Sequence, residues 1–285
     1  MPHRPIIYGS IVVLSVFVVV LGWVVWFLSR PQDLRITFFD VGQGDGILIT
    51  EGPFQVLIDS GRSGQTILSR LGQAVPFWDR TIDVVIPTHP DQDHIGGLRD
   101  VLGAYRVPVV LSTQATSTSK TFAAWQEALA QEHAENVEAF SGVAVQFPSG
   151  ARLDVVHPFG SVANNGEDTN QTSIAVVLTR EGETFFFGGD LPSAQEDILP
   201  IGSIDVLKVG HHGSASSTSE RFLEKITPRE AIISVGENNS YGHPTSVVLE
   251  RLARSGIITY RTDQRGTITY VCPHDQRSCV VHADR

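Results

Sequence analysis

Four potential metal ligands fall within one short run of the chain: His89, Asp91, Asp93 and His94. They follow the largely apolar run Ile82–Pro87, which is typical of a strand buried on both faces. Imidazole and carboxylate groups together suit zinc, manganese or iron. Histidine and aspartate also occur in solvated turns, but this density of ligands before a glycine-led helix favours a metal centre that assists hydrolysis.

Two glycine-rich turns add further candidates. Asp190 follows an apolar strand and two glycines, and one carboxylate can bind two cations about 3.5–4 Å apart. His211 and His212 point in opposite directions if their segment is extended, so we expect one to bind metal and the other to face substrate or a ligand. We favour His212 as the ligand and His211 as a contact to the scissile group. By the same alternation Lys208 lies on the side of His212, where it either contacts a phosphate oxygen or forms an ordinary ion pair.

A last candidate, His243, follows the apolar run Ala231–Val235. It is expected either to bind metal or to donate a proton to the substrate. Alternatively, it marks the start of a helix that has Pro244 at its first position.

The elements that position these residues follow from the hydrophobic pattern of residues 35–285. Short β-rich runs separated by glycine and proline alternate with segments of helical spacing. Two runs of strands, each followed by helices, predict two sheets packed together with helices outside, an αββα sandwich. The predicted strands are 35–41, 47–50, 55–59, 82–87, 107–111, 144–147, 152–156, 173–179, 184–188, 204–209, 231–235 and 266–271, and the predicted helices are 65–72, 95–105, 119–135, 193–199, 217–226 and 244–255.

The amino-terminal segment Ile6–Leu28 carries no charge. Its length suffices for one helix across a bilayer, and Trp23, Trp26 and Phe27 lie near one end, where aromatic side chains favour the interface. A cleaved signal peptide is the alternative, but the run is longer than an ordinary signal core and no A-x-A site follows. We therefore predict a transmembrane anchor over 6–28, a linker over 29–34 and a hydrolase domain over 35–285.

Cys272 and Cys279 lie in two β-rich runs around a short polar loop. In a hairpin they would face each other within bridging distance, although they are alternatively two unpaired small apolar residues. A disulfide would place the domain in an oxidising compartment. Positive charge on both flanks of the anchor leaves its orientation undecided, so the cysteines favour an extracytoplasmic domain on a single-pass membrane protein.

Composition excludes some classes of protein. Apolar residues make up 41% and charged residues 18%, which indicates a folded core rather than disorder. The net charge of −10 does not fit a nucleic-acid coat protein, which neutralises phosphates over a broad surface. It still permits local chemistry on a phosphodiester, because bound metal ions supply positive charge.

Taken in order, the motifs resemble a known family. The run at 89–97, HPDQDHIGG, resembles the H-x-H-x-D-H signature of the metallo-β-lactamase superfamily, with Asp91 in place of the second histidine. With FFDVGQGDG (38–46), LIDSG (57–61), GGD (188–190), LKVGHHGS (207–214) and SYGHP (240–244), the chain is similar to the hydrolase domain of ComEC-type competence proteins. Those proteins also carry a multi-helix channel, so one predicted span implies a stand-alone relative that works with a membrane channel partner.

The resemblance implies a site with two divalent metal ions, zinc or manganese. Asp93 and His94 would hold one metal, His89 and Asp91 the other, and Asp190 would bridge them. Segment 165–173 lacks the histidine that many superfamily members have there, which favours manganese as an alternative to zinc because manganese accepts oxygen-rich sites. The roles implied for the remaining residues are catalysis for Asp93, His211, His243 and Lys208, and substrate binding for Asn170, Ser173, Ser214 and Tyr241.

The function implied by the resemblance is hydrolysis of a phosphodiester, expected to be DNA. A similar histidine pair in relatives that resemble phosphorylcholine esterases makes a small phosphoester the alternative substrate. A non-catalytic, membrane-tethered binding domain is a third reading, but it would have lost the metal-binding motifs. Basic runs with aromatic stacking positions, which a dedicated single-strand binder would need, are absent from the sequence.

Overall fold

The computed structural model describes residues 4–28, 30, 32–162 and 168–285. The chain divides into two compact units between Gln32 and Asp33. The first contains helix α1 (Arg4–Leu28), in which the window Tyr8–Val25 is long and apolar enough to cross a membrane by length and composition. Of the predicted linker, residues 29 and 31 lie outside the described part of the chain.

The second unit is built on two mixed sheets. The first sheet has the strand order β15-β14-β1-β2-β3-β4-β5-β6, and the second has the order β13-β12-β11-β10-β9-β8-β7. The strands of the first sheet are β1 (Leu34–Phe38), β2 (Ile47–Glu51), β3 (Phe54–Ile58), β4 (Val84–Ile86), β5 (Val109–Ser112), β6 (Glu135–Glu138), β14 (Ile268–Cys272) and β15 (Val280–Ala283). The strands of the second are β7 (Ala144–Gln146), β8 (Arg152–His157), β9 (Ala175–Arg180), β10 (Glu183–Phe187), β11 (Val206–Lys208), β12 (Glu230–Ile233) and β13 (Ile258–Arg261).

Helices pack on the outer face of each sheet. They are α2 (Gly64–Ala74), α3 (Gln92–Ile95), α4 (Leu98–Ala104), α5 (Lys120–Glu132), α6 (Ser193–Glu196), α7 (Glu220–Ile226), α8 (Ser246–Arg254) and α9 (Thr262–Arg265). One apolar cluster joins the inner faces of the two sheets and includes Phe38, Phe187 and Tyr270. Separate clusters join the first sheet to α2, α4 and α5, and the second sheet to α7 and α8. The predicted αββα sandwich is therefore confirmed.

Two strands were not expected from the pattern. The helix predicted to reach residue 135 ends at Glu132, because His133 takes a left-handed conformation with φ of 57°. The chain then forms β6, a polar edge strand that pairs with β5 alone. Strand β13 is likewise an edge strand, paired with β12. Polar edge strands bury little apolar surface, so hydrophobic alternation does not mark them.

The carboxyl-terminal hairpin contains the predicted disulfide between Cys272 and Cys279. Strands β14 and β15 pair antiparallel on either side of it. The guanidinium of Arg180, in the second sheet, donates to the carbonyl oxygens of Pro273 and Gln276 inside the bridged loop. The disulfide thus closes a loop that ties the edge of one sheet to the other.

Candidate metal centre

The predicted ligands meet at one end of the two sheets. Strands β3 and β4 are parallel, as are β10 and β11, so their carboxyl ends lie at the same edge of each sheet. Asp59 follows β3 and His89 lies shortly beyond β4, while Asp190 and His212 lie shortly beyond β10 and β11. Ligand sites of open α/β sheets form at this end of the strands, where loops converge.

One group of ligand atoms surrounds His94. Its Nε2 lies 3.3 Å from Oδ1 of Asp190 and 3.3 Å from Nε2 of His212. Nε2 of His212 lies 3.6 Å from Oδ2 of Asp93. His94, Asp190 and His212 are buried, and Asp93 closes the group from the partly exposed side. Two imidazoles and two carboxylates can together hold one divalent cation.

A second group surrounds His89. Its Nε2 lies 3.8 Å from Oδ2 of Asp91 and 4.0 Å from Oδ2 of Asp190. Nε2 of His211 lies 3.5 Å from the same Asp190 oxygen. Asp190 therefore lies between the two groups: Oδ1 faces Nε2 of His94, whereas Oδ2 lies 3.6 Å from Nε2 of His212 as well as near His89 and His211. The structure brings the six expected ligands together at this end of the sheets.

The buried imidazoles have the tautomer that metal binding needs. Nδ1 of His212 donates to the carbonyl oxygen of Ser234 at 2.9 Å, and Nδ1 of His94 lies 2.7 Å from Oδ2 of Asp59. Thr88 Oγ1 donates to Asp59, so it accepts from Nδ1 of His89 at 3.1 Å. With Nδ1 engaged in this way, Nε2 is the ring atom of each histidine that is directed into the site, as the hydrogen-bond partners of zinc-bound histidines arrange it.

Two atoms of the expected ligands, Nε2 of His89 and Oδ1 of Asp190, are buried without a hydrogen-bond partner. Leaving such an atom unpaired costs about 1–3 kcal/mol. Both atoms point into the ligand groups, where a divalent cation would satisfy them. The residues therefore fit the two metal ions that the sequence predicts.

The electrostatics differ between the ligands, and His94 would release a proton on binding a cation. Burial lowers the pKa of His89 to about 4, so its imidazole is neutral and available as a ligand near neutral pH. Burial alone would also lower the pKa of His94, but the carboxylates of Asp190 and Asp59 outweigh it and raise that pKa well above its usual value. Burial opposes ionisation of Asp190, yet His212, His94 and His89 hold the pKa of its carboxyl well below the usual range. Asp190 is thus an anion at the centre of the site.

The two adjacent histidines do not lie on an extended chain, contrary to the expectation from sequence. His211 and His212 take left-handed conformations, with φ of 46° and 53°, inside the 3-10 turn Gly210–Gly213. The turn directs both rings into the site instead of to opposite faces. His212 is buried among ligand atoms, whereas the side chain of His211 stays 26% exposed and faces the open side.

Lys208 does not face the substrate, which corrects its expected catalytic role. Its side chain is fully buried, and its ammonium group donates to Oδ2 of Asp45 and lies 3.5 Å from the carbonyl oxygen of Gly189. Burial would raise the pKa of Asp45, but Lys208 and then His212 outweigh it and hold that pKa far below the usual range. The ion pair that the sequence left as the alternative is the one that forms.

The four expected substrate-binding residues differ in access. Ser173 is fully buried, so its hydroxyl cannot reach a substrate, and this assignment is corrected. Asn170 is half-buried in the 3-10 turn Thr169–Thr172. The hydroxyl of Ser214 is hydrogen-bonded to the hydroxyl of Ser216 at the surface. Tyr241 is exposed.

The open rim of the site is aromatic and basic. The ring of Tyr241 stacks 6.0 Å from that of His243, which lies 5.5 Å from the ring of His211. The guanidinium of Arg62 lies 6.0 Å from the centre of the Tyr241 ring. Burial, reinforced by His211 and His212, lowers the pKa of His243. A neutral imidazole therefore stands at the rim beside an exposed ring and a cation.

Several supporting residues carried no assigned role in the sequence. Thr169 Oγ1 donates to Oδ1 of Asp91 at 2.7 Å and so orients that ligand. Asp59 and Thr88 orient the rings of His94 and His89. The available signals were the position of Asp59 at the end of an apolar strand and its place in the LIDSG motif (57–61). Residues 165–167 of the histidine-free segment lie outside the described residues.

Replacing Asp59 by asparagine is expected to weaken metal binding about 10–100-fold, because asparagine has one acceptor oxygen and cannot accept from both the amide of Thr88 and Nδ1 of His94. Chelator competition with zinc on the full chain in detergent measures the effect. Asp154→Asn, on a surface ion pair with Arg152, is the matched control and should leave affinity unchanged. Equal affinities for both variants would contradict the role of Asp59.

A buried carboxyl beneath the histidine turn predicts a pH effect on stability. Glu196 is fully buried, accepts from the amide of Thr218 and packs against Gly210. Burial raises the pKa of Glu196 to about 8. This pKa exceeds the unfolded value of about 4.3. The stability that protonated Glu196 contributes to the folded state is therefore full below about pH 4 and is lost as the pH rises towards 8. Between pH 6 and 9 the melting temperature should fall, and it should fall less in Glu196→Gln. An equal fall in both proteins would refute the argument.

The chain is similar in sequence to several competence-related proteins. The chain is 34% identical to "ComE operon protein 3" of Bacillus subtilis, over 83% of this chain and 33% of that protein. It is 29% identical to "Recombination protein 2" of Haemophilus influenzae, over 80% of this chain and 27% of that protein. With "Competence protein ComA" of Neisseria gonorrhoeae the identity is 28%, over 85% and 33%. The chain thus spans about a third of the length of these competence-related, ComEC-type relatives.

The fold agrees with a solved structure of low sequence identity. The metallo-β-lactamase fold protein YhfI from Bacillus subtilis superposes with a TM-score of 0.53 at 14% identity, covering 88% of this chain and all of that chain. The family model for the metallo-β-lactamase superfamily matches residues 39–237, which contain every ligand named above. The chain belongs to the metallo-β-lactamase superfamily.

Proposed function

We propose that this chain is a membrane-anchored, metal-dependent phosphodiesterase that acts on DNA, in a role like that of its competence-protein relatives. One observation carries the proposal: the Nε2 atoms of His89, His94 and His212 converge on the carboxylate of Asp190, at 3.3–4.0 Å. The division of the chain into an anchor over 6–28, a linker over 29–34 and a hydrolase domain over 35–285 belongs to the same proposal.

The residues have separate tasks. Asp93, His94 and His212 would hold one cation, His89 and Asp91 the other, and Asp190 would contribute to both. Divalent cations held there would supply Lewis-acid polarisation of the scissile group and a more acidic water. The group around His94 offers two imidazoles, which suits zinc, whereas the group around His89 is richer in oxygen and also suits manganese.

The rim residues handle the substrate. In this proposal His211 and His243 contact a non-bridging or leaving oxygen and stabilise its developing charge by hydrogen bonding. The exposed Tyr241 ring offers a stacking surface for a base, and the guanidinium of Arg62 offers a positive charge to a phosphate. Asn170 and Ser214 border the same opening in this proposal.

The cellular placement rests on the anchor and the disulfide. Helix α1 has the length and composition of a single membrane span. The Cys272–Cys279 bridge favours an oxidising compartment, so the hydrolase domain is extracytoplasmic in this proposal. By analogy with its competence-related relatives, we propose a membrane channel as its partner.

Nuclease activity of the full chain in detergent tests the proposal. Single- and double-stranded DNA are incubated with the protein after EDTA treatment and after addition of zinc or manganese. We expect cleavage that EDTA abolishes and that one of the two metals restores. Asp93→Ala should be inactive, and the surface variant Asp154→Asn should cleave like the wild type.

The same assay separates the alternatives. A folded, metal-loaded protein that hydrolyses a chromogenic phosphodiester or phosphorylcholine ester but not DNA would be a small-phosphoester hydrolase. A folded, metal-loaded protein that cleaves none of these substrates would refute the hydrolase proposal and indicate a binding domain.

A further inference from the structure

Two large aromatic side chains stand exposed on the loop between α2 and β4. Phe77 is 78% exposed and the adjacent Trp78 is 73% exposed. Their rings contact edge to face, with centroids 4.9 Å apart, so they form one raised apolar feature. In a water-soluble domain such large rings are normally buried, and an exposed apolar patch marks an interaction site.

The loop that carries these rings is well fixed. Val75 is buried in the core at its start. Asp79, at its end, donates its amide to the carbonyl oxygen of Pro76 at 2.9 Å and accepts from Nε2 of Gln55 at 2.9 Å. The fold therefore holds Phe77 and Trp78 outward on a short, internally bonded turn.

Two exposed basic residues lie in or beside this loop. Arg80 and Arg106 are both exposed, and their backbones are paired, with the amide of Arg106 donating to the carbonyl oxygen of Arg80 at 2.8 Å. Asp79 and Asp83 of the same loop accept hydrogen bonds from Gln55, whereas the two arginines are exposed. Aromatic rings beside basic side chains match a bilayer interface with anionic head groups.

The position of the loop fits the same partner. Strand register places Leu34 opposite Glu51, Glu51 opposite Phe54, and Val56 opposite Val84. The first residues of β1, β3 and β4 therefore lie at one end of the sheet, and the loop that leads into β4 lies there too. The candidate metal centre is at the other end.

The chain enters the domain at this same end. Helix α1 ends at Leu28 and β1 begins at Leu34. At about 3.3–3.6 Å per residue, the connection spans at most about 20 Å. A membrane crossed by α1 would therefore be within reach of the end of the sheet that carries Phe77 and Trp78.

We propose that Phe77, Trp78, Arg80 and Arg106 form a lipid-docking face that seats the domain on the surface of the membrane. The two rings enter the interfacial region and the two guanidinium groups contact anionic head groups. The metal centre then faces away from the bilayer, towards substrate in the aqueous phase. The inference rests on the proposed membrane anchor and is independent of the substrate.

Fluorescence quenching in the full chain tests the proposal. The protein is reconstituted in vesicles of phosphatidylcholine and phosphatidylglycerol, with or without acyl chains brominated near the head group. The emission of Trp78 is taken as the difference between the wild type and Trp78→Phe. We expect brominated lipid to remove most of this emission and acrylamide in the water to leave most of it.

Two variants sharpen the result. Phe77→Ser combined with Arg106→Gln should restore acrylamide access to Trp78, whereas Ile198→Ser, which removes another exposed apolar side chain, should not. Trp23, Trp26 and the buried Trp125 remain in Trp78→Phe, and the part of their emission that brominated lipid quenches shows that the chain is anchored.

Three outcomes overturn the proposal. Full acrylamide access without lipid quenching means that the face stays in water. Protection from acrylamide without lipid quenching means that a second copy of the chain covers it. No quenching of Trp23 and Trp26 means that the anchor itself is wrong, while DNA cleavage measured separately is unaffected by any of these results.

Discussion

Replacing Asp190 by asparagine is expected to lower hydrolysis roughly 10³-fold, because the carboxylate shared by both ligand groups becomes a neutral amide. Asp190 Oδ1 lies 3.3 Å from Nε2 of His94, and Oδ2 lies 4.0 Å from Nε2 of His89. Among the described residues, no other carboxylate lies close to both of these Nε2 atoms. The loss of about 4 kcal/mol of transition-state stabilisation corresponds to that factor.

Metal analysis separates this effect from misfolding. The wild type should retain two metal ions per chain after dialysis, and Asp190→Asn should retain one or fewer while unfolding at a similar temperature. Asp154→Asn, in which a surface carboxylate of β8 is changed in the same way, serves as the control for both measurements. Full activity with two bound metals in Asp190→Asn would show that the carboxylate is not shared.

Replacing Lys208 by methionine is expected to destabilise the domain by about 3–5 kcal/mol, because the carboxylate of Asp45 is left buried without its partner. Both side chains are almost completely inaccessible, and the ammonium group of Lys208 does not reach solvent. For a domain of this size the change corresponds to roughly 10 °C in melting temperature. Thermal unfolding of the full chain in detergent measures it.

The second substitution distinguishes a lost ion pair from lost packing. Adding Asp45→Asn to Lys208→Met removes the stranded charge and should recover part of the stability. Lys120→Met, at an exposed position on α5, should leave the melting temperature within about 1 °C, as surface substitutions usually do. If Lys208→Met unfolds like Lys120→Met, the buried pair does not stabilise the fold.

Much of the site could be predicted because its residues carry local signals. His89, Asp93 and His94 are close in sequence and follow an apolar strand, and Asp190 follows another strand with two glycines. Strand periodicity and glycine turns are properties of short segments, so they survive in a single sequence. The αββα order, the hairpin and its disulfide were predictable for the same reason.

The roles of other residues required the tertiary structure. Lys208 and Asp45 are 163 positions apart, and Asp59 and His94 are 35 apart, so no local pattern pairs them. Alternation along β11 predicted the face on which Lys208 lies but not the carboxylate that the opposite sheet brings to that face. The assignment of Lys208 to substrate was wrong for this reason.

The backbone of two adjacent histidines was also not predictable from local sequence. His211 and His212 take left-handed backbone conformations that only the packing of their turn imposes, with the amide of His211 bonded to the carbonyl oxygen of Gly189. The sequence by itself determined which residue types could bind metal and on which strands they stand. The tertiary structure decided which of them converge, which pair with each other and which face solvent, because those outcomes depend on contacts between segments that are distant in the chain.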